Sequence, residues 1–281
     1  MSVATSNRFA FPLDSEMWRV NHQKCGLFFG PAAAILQIAH PRIAQGVADH
    51  SNFEYDTLGR LNRTLAATNR IAFGTIEEAE AIREKLRHLH RGVKGEVSSG
   101  MEGAPKYTAL EPDLLLWVLA TLIMAALQGY EMVYGSLPAE RKECFYREMR
   151  EFGTYFGLDE GYGPADMKAF GEYYETMLRG DLLGSHPLCR QLAMAIVSPK
   201  DSRGAKMLGD RIRFLSIETL PAGVRERLGF RSTAFTRGSM WALRKTSRLT
   251  FSRLPKKVRC FPEAIQREER ESGICSNFTA G

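Results

Sequence analysis

The chain has 281 residues, 44% of them hydrophobic and 25% charged, which excludes a disordered or fibrous protein and fits a soluble globular one. That length allows one large domain or two small ones, with a core big enough to enclose a cofactor. Net charge is +6, yet residues 231–281 carry eleven Lys and Arg against four Asp and Glu, so the excess of seven sits at the C-terminal end. No nucleic-acid motif and no aromatic-interleaved basic groove accompanies it, so nucleic acid is not an expected partner. A solvated surface is the plain reading, and peripheral contact of this basic tail with an anionic membrane is the alternative.

The five cysteines, Cys25, Cys144, Cys189, Cys260 and Cys275, are scattered, with no CxxC, no CxxCH and no zinc-finger spacing. Such a set fits a reducing compartment. The N-terminus lacks the basic and apolar regions of a signal peptide. The longest apolar run, LLLWVLATLIMAAL at 114–127, is 14 residues long. A membrane span needs roughly 20, so the run predicts a buried central helix and the expected location is the cytoplasm or its membrane face.

In chain order the pattern is helical nearly throughout. GPAAAILQIAH (30–40) predicts a helix that Pro41 stops or kinks, and Pro41 opens the next, PRIAQGVADH. SNFEYD is a loop. Asp56 or Thr57 can cap the following helix, which Gly74 ends. TIEE (75–78) is a capping box, and the helix it opens carries an apolar stripe of Ile82, Leu86, Leu89 and Val93. Residues 96–107 read as a loop without hairpin signals. Pro112 launches the buried helix to about Tyr134. Two amphipathic segments follow, at 137–157 and 164–180, and SPKDSRGAK (198–206) is the best candidate boundary. The expected fold is all-α: one helical domain with a buried central helix and an internal cofactor pocket. Its bounds are an N-terminal extension 1–24, a catalytic domain 25–260 and a tail 261–281.

Two features carry chemistry. Arg60, Arg63, Thr64, Ala67 and Ile71 recur at helical spacing, so two cations and a hydroxyl begin a stripe that ends apolar. Thr64 there can donate a hydrogen bond to an oxygen species, and an arginine can clamp a carboxylate. The alternative is a solvated face paired with Glu54 or Asp56. Among the six histidines, a helical wheel turns His90 toward the Ile82/Leu86/Val93 stripe and His88 outward. An inward histidine suits a buried metal or haem, although a lone one is commonly a satisfied core-edge residue. His40, before Pro41, and His50 are cap or loop residues by themselves. With His90 and the arginine stripe they make a candidate site whose spacing names no metal.

HPRIAQGVADHSNFEYDTLGRLNRT, FGTIEEAEAIREKLRHLHRGVKG, YTALEPDLLLWVLATL and YE..YGSLP resemble, in order, the motifs of the family of rubber oxygenase and the mycophenolic-acid pathway oxygenase. The resemblance spans roughly residues 25–260. It implies an all-helical fold holding haem b without thioether links. An H-x-x-V-[KR]-G motif implies His90 as proximal iron ligand, with Lys94 in the cofactor-binding segment. An R-x-x-K-T segment implies a distal group at Arg60–Thr64. Arg63 replaces the lysine, and a guanidinium stays protonated and cannot cap the iron. Leu119 stands where many relatives have the histidine of W-V-H-A-T.

The implied activity is an oxidoreductase using dioxygen on a hydrophobic small molecule. His90 would ligate iron, Arg63 and Thr64 orient oxygen, Arg60 pair with a propionate or substrate, and His40 and His50 serve as acid/base or pocket residues. A zinc-dependent, non-redox lyase similar to the cyclopenases is the alternative, with His40, His50 and His90 plus Asp49 or Asp56 as ligands. A non-catalytic haem- or lipid-binding module is a third reading.

Overall fold

A proline, a long apolar run and a left-handed glycine define the helix around which the chain is built. In a computed structural model, which describes residues 9–51, 57–98, 106–198 and 203–278, this helix spans Pro112–Tyr134. Pro112 opens its first turn, and 14 of its 23 residues are buried. Gly135 ends it at φ +87°, a conformation L side chains rarely adopt, and its N–H returns to the Glu131 carbonyl. Its limits are those expected from the sequence, Pro112 to about Tyr134. Among the described residues it is the one helix long and apolar enough, by length and composition, to cross a bilayer, but 67% of its apolar 18-residue window is buried inside the fold.

In chain order the elements are α1 (Glu16–Asn21), a short 3-10 turn (Lys24–Phe28), α2 (Gly30–Ala39), α3 (Pro41–His50), α4 (Thr57–Phe73) and α5 (Ile76–Arg91). Strands β1 (Lys94–Glu96) and β2 (Lys106–Thr108) follow, then the central helix as α6, α7 (Ala139–Thr154), α8 (Met167–Arg179) and α9 (Pro187–Val197). The chain closes with α10 (Arg203–Thr219), α11 (Ala222–Arg227), α12 (Ala234–Thr250), α13 (Lys256–Arg259) and α14 (Pro262–Phe278). The all-α single domain expected from the sequence is the observed class.

Several expectations need correction. The presumed loop at 96–107 begins and ends in strands. β1 and β2 pair antiparallel, Lys94 opposite Thr108 and Glu96 opposite Lys106. Strands of three residues are too short to show alternation. The polar 198–206 segment runs into α10 at Arg203, and Ile196, Val197, Ile212 and Ile217 on its two sides share one core. Leu89, assigned to the apolar stripe of α5, is 55% exposed. Of the two cap candidates for α4, Thr57 is its first helical residue and Asp56 lies outside the described residues.

The core wraps α6. The Trp117 indole, fully buried, donates to the Leu36 carbonyl of α2 at 2.9 Å and stacks on Tyr174 of α8. Gly129 lets the 3-10 turn cross at backbone distance: a Cβ there would stand 2.5 Å from the Cys25 carbonyl oxygen. The ends of the chain join the same core through Phe11, Met17, Trp18, Phe261 and Ala264. Arg267, buried on α14, donates to the Phe11 carbonyl and lies over the rings of Phe9 and Trp18.

Candidate functional site

α4 and α5 pack together as an antiparallel pair, and the capping box fixes where α5 begins. The Thr75 hydroxyl accepts from the Glu78 N–H at 3.2 Å, while the Thr75 N–H donates to the Glu78 carboxylate at 2.9 Å. Ile76 therefore starts the count of turns that brings His90 inward and leaves His88 exposed. The buried His90 Nδ1 has no hydrogen-bond partner. Burial, and after it the Arg60 guanidinium, hold the His90 imidazole below the usual histidine range. His90 is therefore neutral at pH 7, the form that ligates a metal. Arg60 is itself half-buried on α4, and burial followed by the charge of Arg63 lowers its affinity for its proton.

The remaining stripe residues stand differently. Arg63 and Thr64 are exposed, whereas Asn69, Ile71, Ala72 and Phe73 at the far end of α4 are buried. The packing partners of α4 cover its C-terminal half, and nearer its start they leave Arg60 half-buried but Arg63 and Thr64 exposed.

The segment after His90 explains the V-K-G part of its motif. The Val93 N–H closes a turn on the His90 carbonyl, and the Val93 carbonyl accepts from Ala109 at 2.9 Å, starting the hairpin. Tyr107 of β2, buried, donates its hydroxyl to Asp49 Oδ2 at 2.5 Å. Asp49 Oδ1 accepts from the Gln45 amide at 2.9 Å, and Gln45 Oε1 accepts from the Ser98 N–H and hydroxyl. Glycine at 95 is required, because a Cβ there would stand 2.7 Å from the Tyr107 hydroxyl oxygen. Burial, and then Asp49, push the Tyr107 phenol well above its ordinary range, so it stays a donor. This clasp ties the end of α5 to α3. Gln45 and Tyr107 drew no attention in the sequence, since nothing local announces a bond between residues 58 apart.

His50, at the exposed end of α3, lies 3.3 Å from the Lys94 carbonyl through Nε2, with its ring edge-on to Tyr107. The Lys94 side chain is exposed and borders an open groove of about 500 Å³ that also touches Arg42, Tyr107 and Glu111. His90 is not among the residues lining that groove.

His40 caps the opposite end of α3. As the residue before Pro41 it is extended, φ −77° and ψ 118°. It is buried, its Nδ1 has no partner, and burial, then Arg42, push its pKa down to about 4. Ten residues of helix put His40 and His50 about 15 Å apart along the axis. Among the described residues no three His, Cys, Asp or Glu side chains converge as a metal site. His186, which the sequence did not single out, caps α9 with a buried Nε2 that also lacks a partner.

Leu119 is buried on α6 and faces α7: a Cβ on Gly153 would come within 2.7 Å of its Cδ2. Two residues on, the Thr121 hydroxyl accepts from Gln37 at 2.9 Å.

The fold is an all-helical domain in which a neutral, half-buried histidine, His90, stands near a half-buried arginine, Arg60. Residues 18–249 match the family described as ER-bound oxygenase mpaB/B'/Rubber oxygenase, catalytic domain, and the chain belongs to that family. The likeness read from its spaced motifs is thereby confirmed. Among curated proteins it is similar to an uncharacterized protein, Rv2237, of Mycobacterium tuberculosis and to another, Mb2261, of Mycobacterium bovis, each 31% identical over 155 residues. The shared stretch covers 53% of this chain and 59% of each relative. No solved structure matches the chain.

Proposed function

We propose that the protein is a haem b-dependent oxygenase that uses dioxygen on a hydrophobic small molecule, with His90 as the iron's protein ligand. The observation that carries this reading is the His90 imidazole: half-buried, neutral, and with an unpartnered Nδ1. A haem needs only one such ligand from the protein, because the porphyrin supplies four nitrogens, whereas zinc needs three or four convergent side chains. The separation of His40 from His50 gives the zinc alternative no support.

Haem, when bound, supplies the oxygen chemistry, and the chain holds and tunes it. Arg60 is placed to pair with a propionate or a substrate carboxylate next to His90. Arg63 and Thr64 offer donors along the exposed side of α4. His40, neutral at pH 7 with its pKa held at about 4, is a weak base there and has no proton to give as an imidazolium. Lys94 follows the His90 turn and lends positive charge to the hairpin edge. Family membership supports oxygenase chemistry. The cytoplasm remains the compartment we assign.

The test is an absorption spectrum with elemental analysis on protein expressed with haem precursor and zinc both supplied. A Soret band with about one iron per chain is expected. One zinc per chain and no Soret band would overturn the reading in favour of the lyase.

A further inference from the structure

The basic C-terminal region contains an apolar ridge that the fold leaves uncovered. α12 packs on α6 and α10 through Met240, Leu243 and Ser247, with Phe251 completing that side. Turned at about 100° per residue, Phe235, Gly238, Trp241, Ala242 and Leu249 fall on the opposite side of the helix. Phe235 is 82% exposed, Trp241 64% and Leu249 63%. Scattered exposed apolar residues are ordinary, but two aromatics and a leucine on one outward arc of one helix are not.

The charge around this ridge is of one sign. Residues 231–260 contain nine Lys and Arg and no Asp or Glu. Lys256 pairs with Glu268 of α14, and Arg259 is half-buried. Arg231, Arg237, Arg244, Lys245, Arg248, Arg253 and Lys257 are exposed, and among the described residues none of them forms an ion pair. Arg237, Arg244 and Arg248 flank the ridge along one edge, and Lys245 rises from its middle with its ammonium 5.9 Å from the Trp241 ring. Leu254 and Val258, also exposed, extend the apolar surface beyond the helix.

We infer that α12 is an interfacial helix, and that this face docks the protein on an anionic lipid bilayer. A bilayer surface matches both features at once. Its headgroups take the cations, and its headgroup–acyl boundary takes Trp, Phe and Leu from a helix lying in the plane. A nucleic acid would satisfy the cations and leave the aliphatic Leu249, Leu254 and Val258 in water. The site is separate from His90 and does not depend on the haem.

The 281-residue chain is sedimented with phosphatidylcholine vesicles, with and without phosphatidylserine. Binding to the anionic vesicles alone is expected. Arg237→Gln, Arg244→Gln and Lys245→Gln together weaken it roughly a hundredfold, about fivefold for each charge removed. Phe235→Ser, Trp241→Ser and Leu249→Ser together weaken it at least about tenfold. The wild type gives a second readout. Trp18 and Trp117 are buried, so quenching of tryptophan fluorescence by brominated acyl chains reports Trp241. No binding to anionic vesicles overturns the inference. So does quenching that does not occur, or binding of vesicles and duplex DNA alike that the serine variant leaves intact.

Discussion

α6 and α5 are built on opposite terms. α6 buries 14 of its 23 residues, while α5 buries Ala79 and Ile82 of its 16. The first is apolar nearly all round and is held from every side. The second presents a narrow seam to α4 and is otherwise wet. Burial on that scale makes α6 the determinant of global stability, whereas the α4–α5 pair opens at lower cost. The polar, titratable groups sit on the lightly packed pair. A helix held by few apolar contacts can place an imidazole against a guanidinium, an arrangement a tight core tolerates poorly.

The sharpest blow to this contrast falls on α6. Trp117→Ala removes a fully buried indole, its bond to Leu36 and its stacking on Tyr174. It should cost about 3–5 kcal/mol in urea denaturation. A much smaller loss would mean that α6 does not dominate.

A comparable effect is expected from acid, through His40. In the unfolded chain His40 titrates at its ordinary 6.5, and in the folded protein at about 4. Between those values the unfolded chain takes up a proton that the folded protein refuses. His40's contribution is therefore complete above about pH 6.5 and is lost as pH falls toward 4, by about 3 kcal/mol. His90 acts in the same direction. Urea midpoints measured between pH 7 and pH 4 should shift accordingly, and His40→Gln should flatten that slope.

The smallest effect sharpens the comparison most. Thr75→Ala breaks the capping box of α5 and should cost about 1 kcal/mol. Amide exchange should speed up along α5 and leave α6 protected. Equal acceleration in both helices would show that they open as one unit.

Much of this was legible in residues that act locally. Pro41, Pro112 and the TIEE box fix helix starts through their own chemistry, and the wheel turned His90 inward from its spacing to Ile82 and Leu86. What escaped depends on neighbours distant in sequence. A wheel tells which face of α4 is inward but not how far its partners extend, so Arg60 and Ile71 are covered while Arg63 and Thr64 are not. The hairpin rests on Tyr107 meeting Asp49, a contact written nowhere in either short strand. The count of basic residues was visible, but the outward turn of Trp241 and Phe235 among them depends on which face of α12 meets α6.

The central claim is that the α4–α5 pair presents His90 to an iron. The direct measurement is an optical titration of haem into the wild type and His90→Ala, with far-UV circular dichroism to show that both are folded. The account predicts a Soret band saturating at about one haem per chain in the wild type, with stoichiometric binding lost in the variant. A folded His90→Ala protein that binds one haem as tightly as the wild type would contradict it.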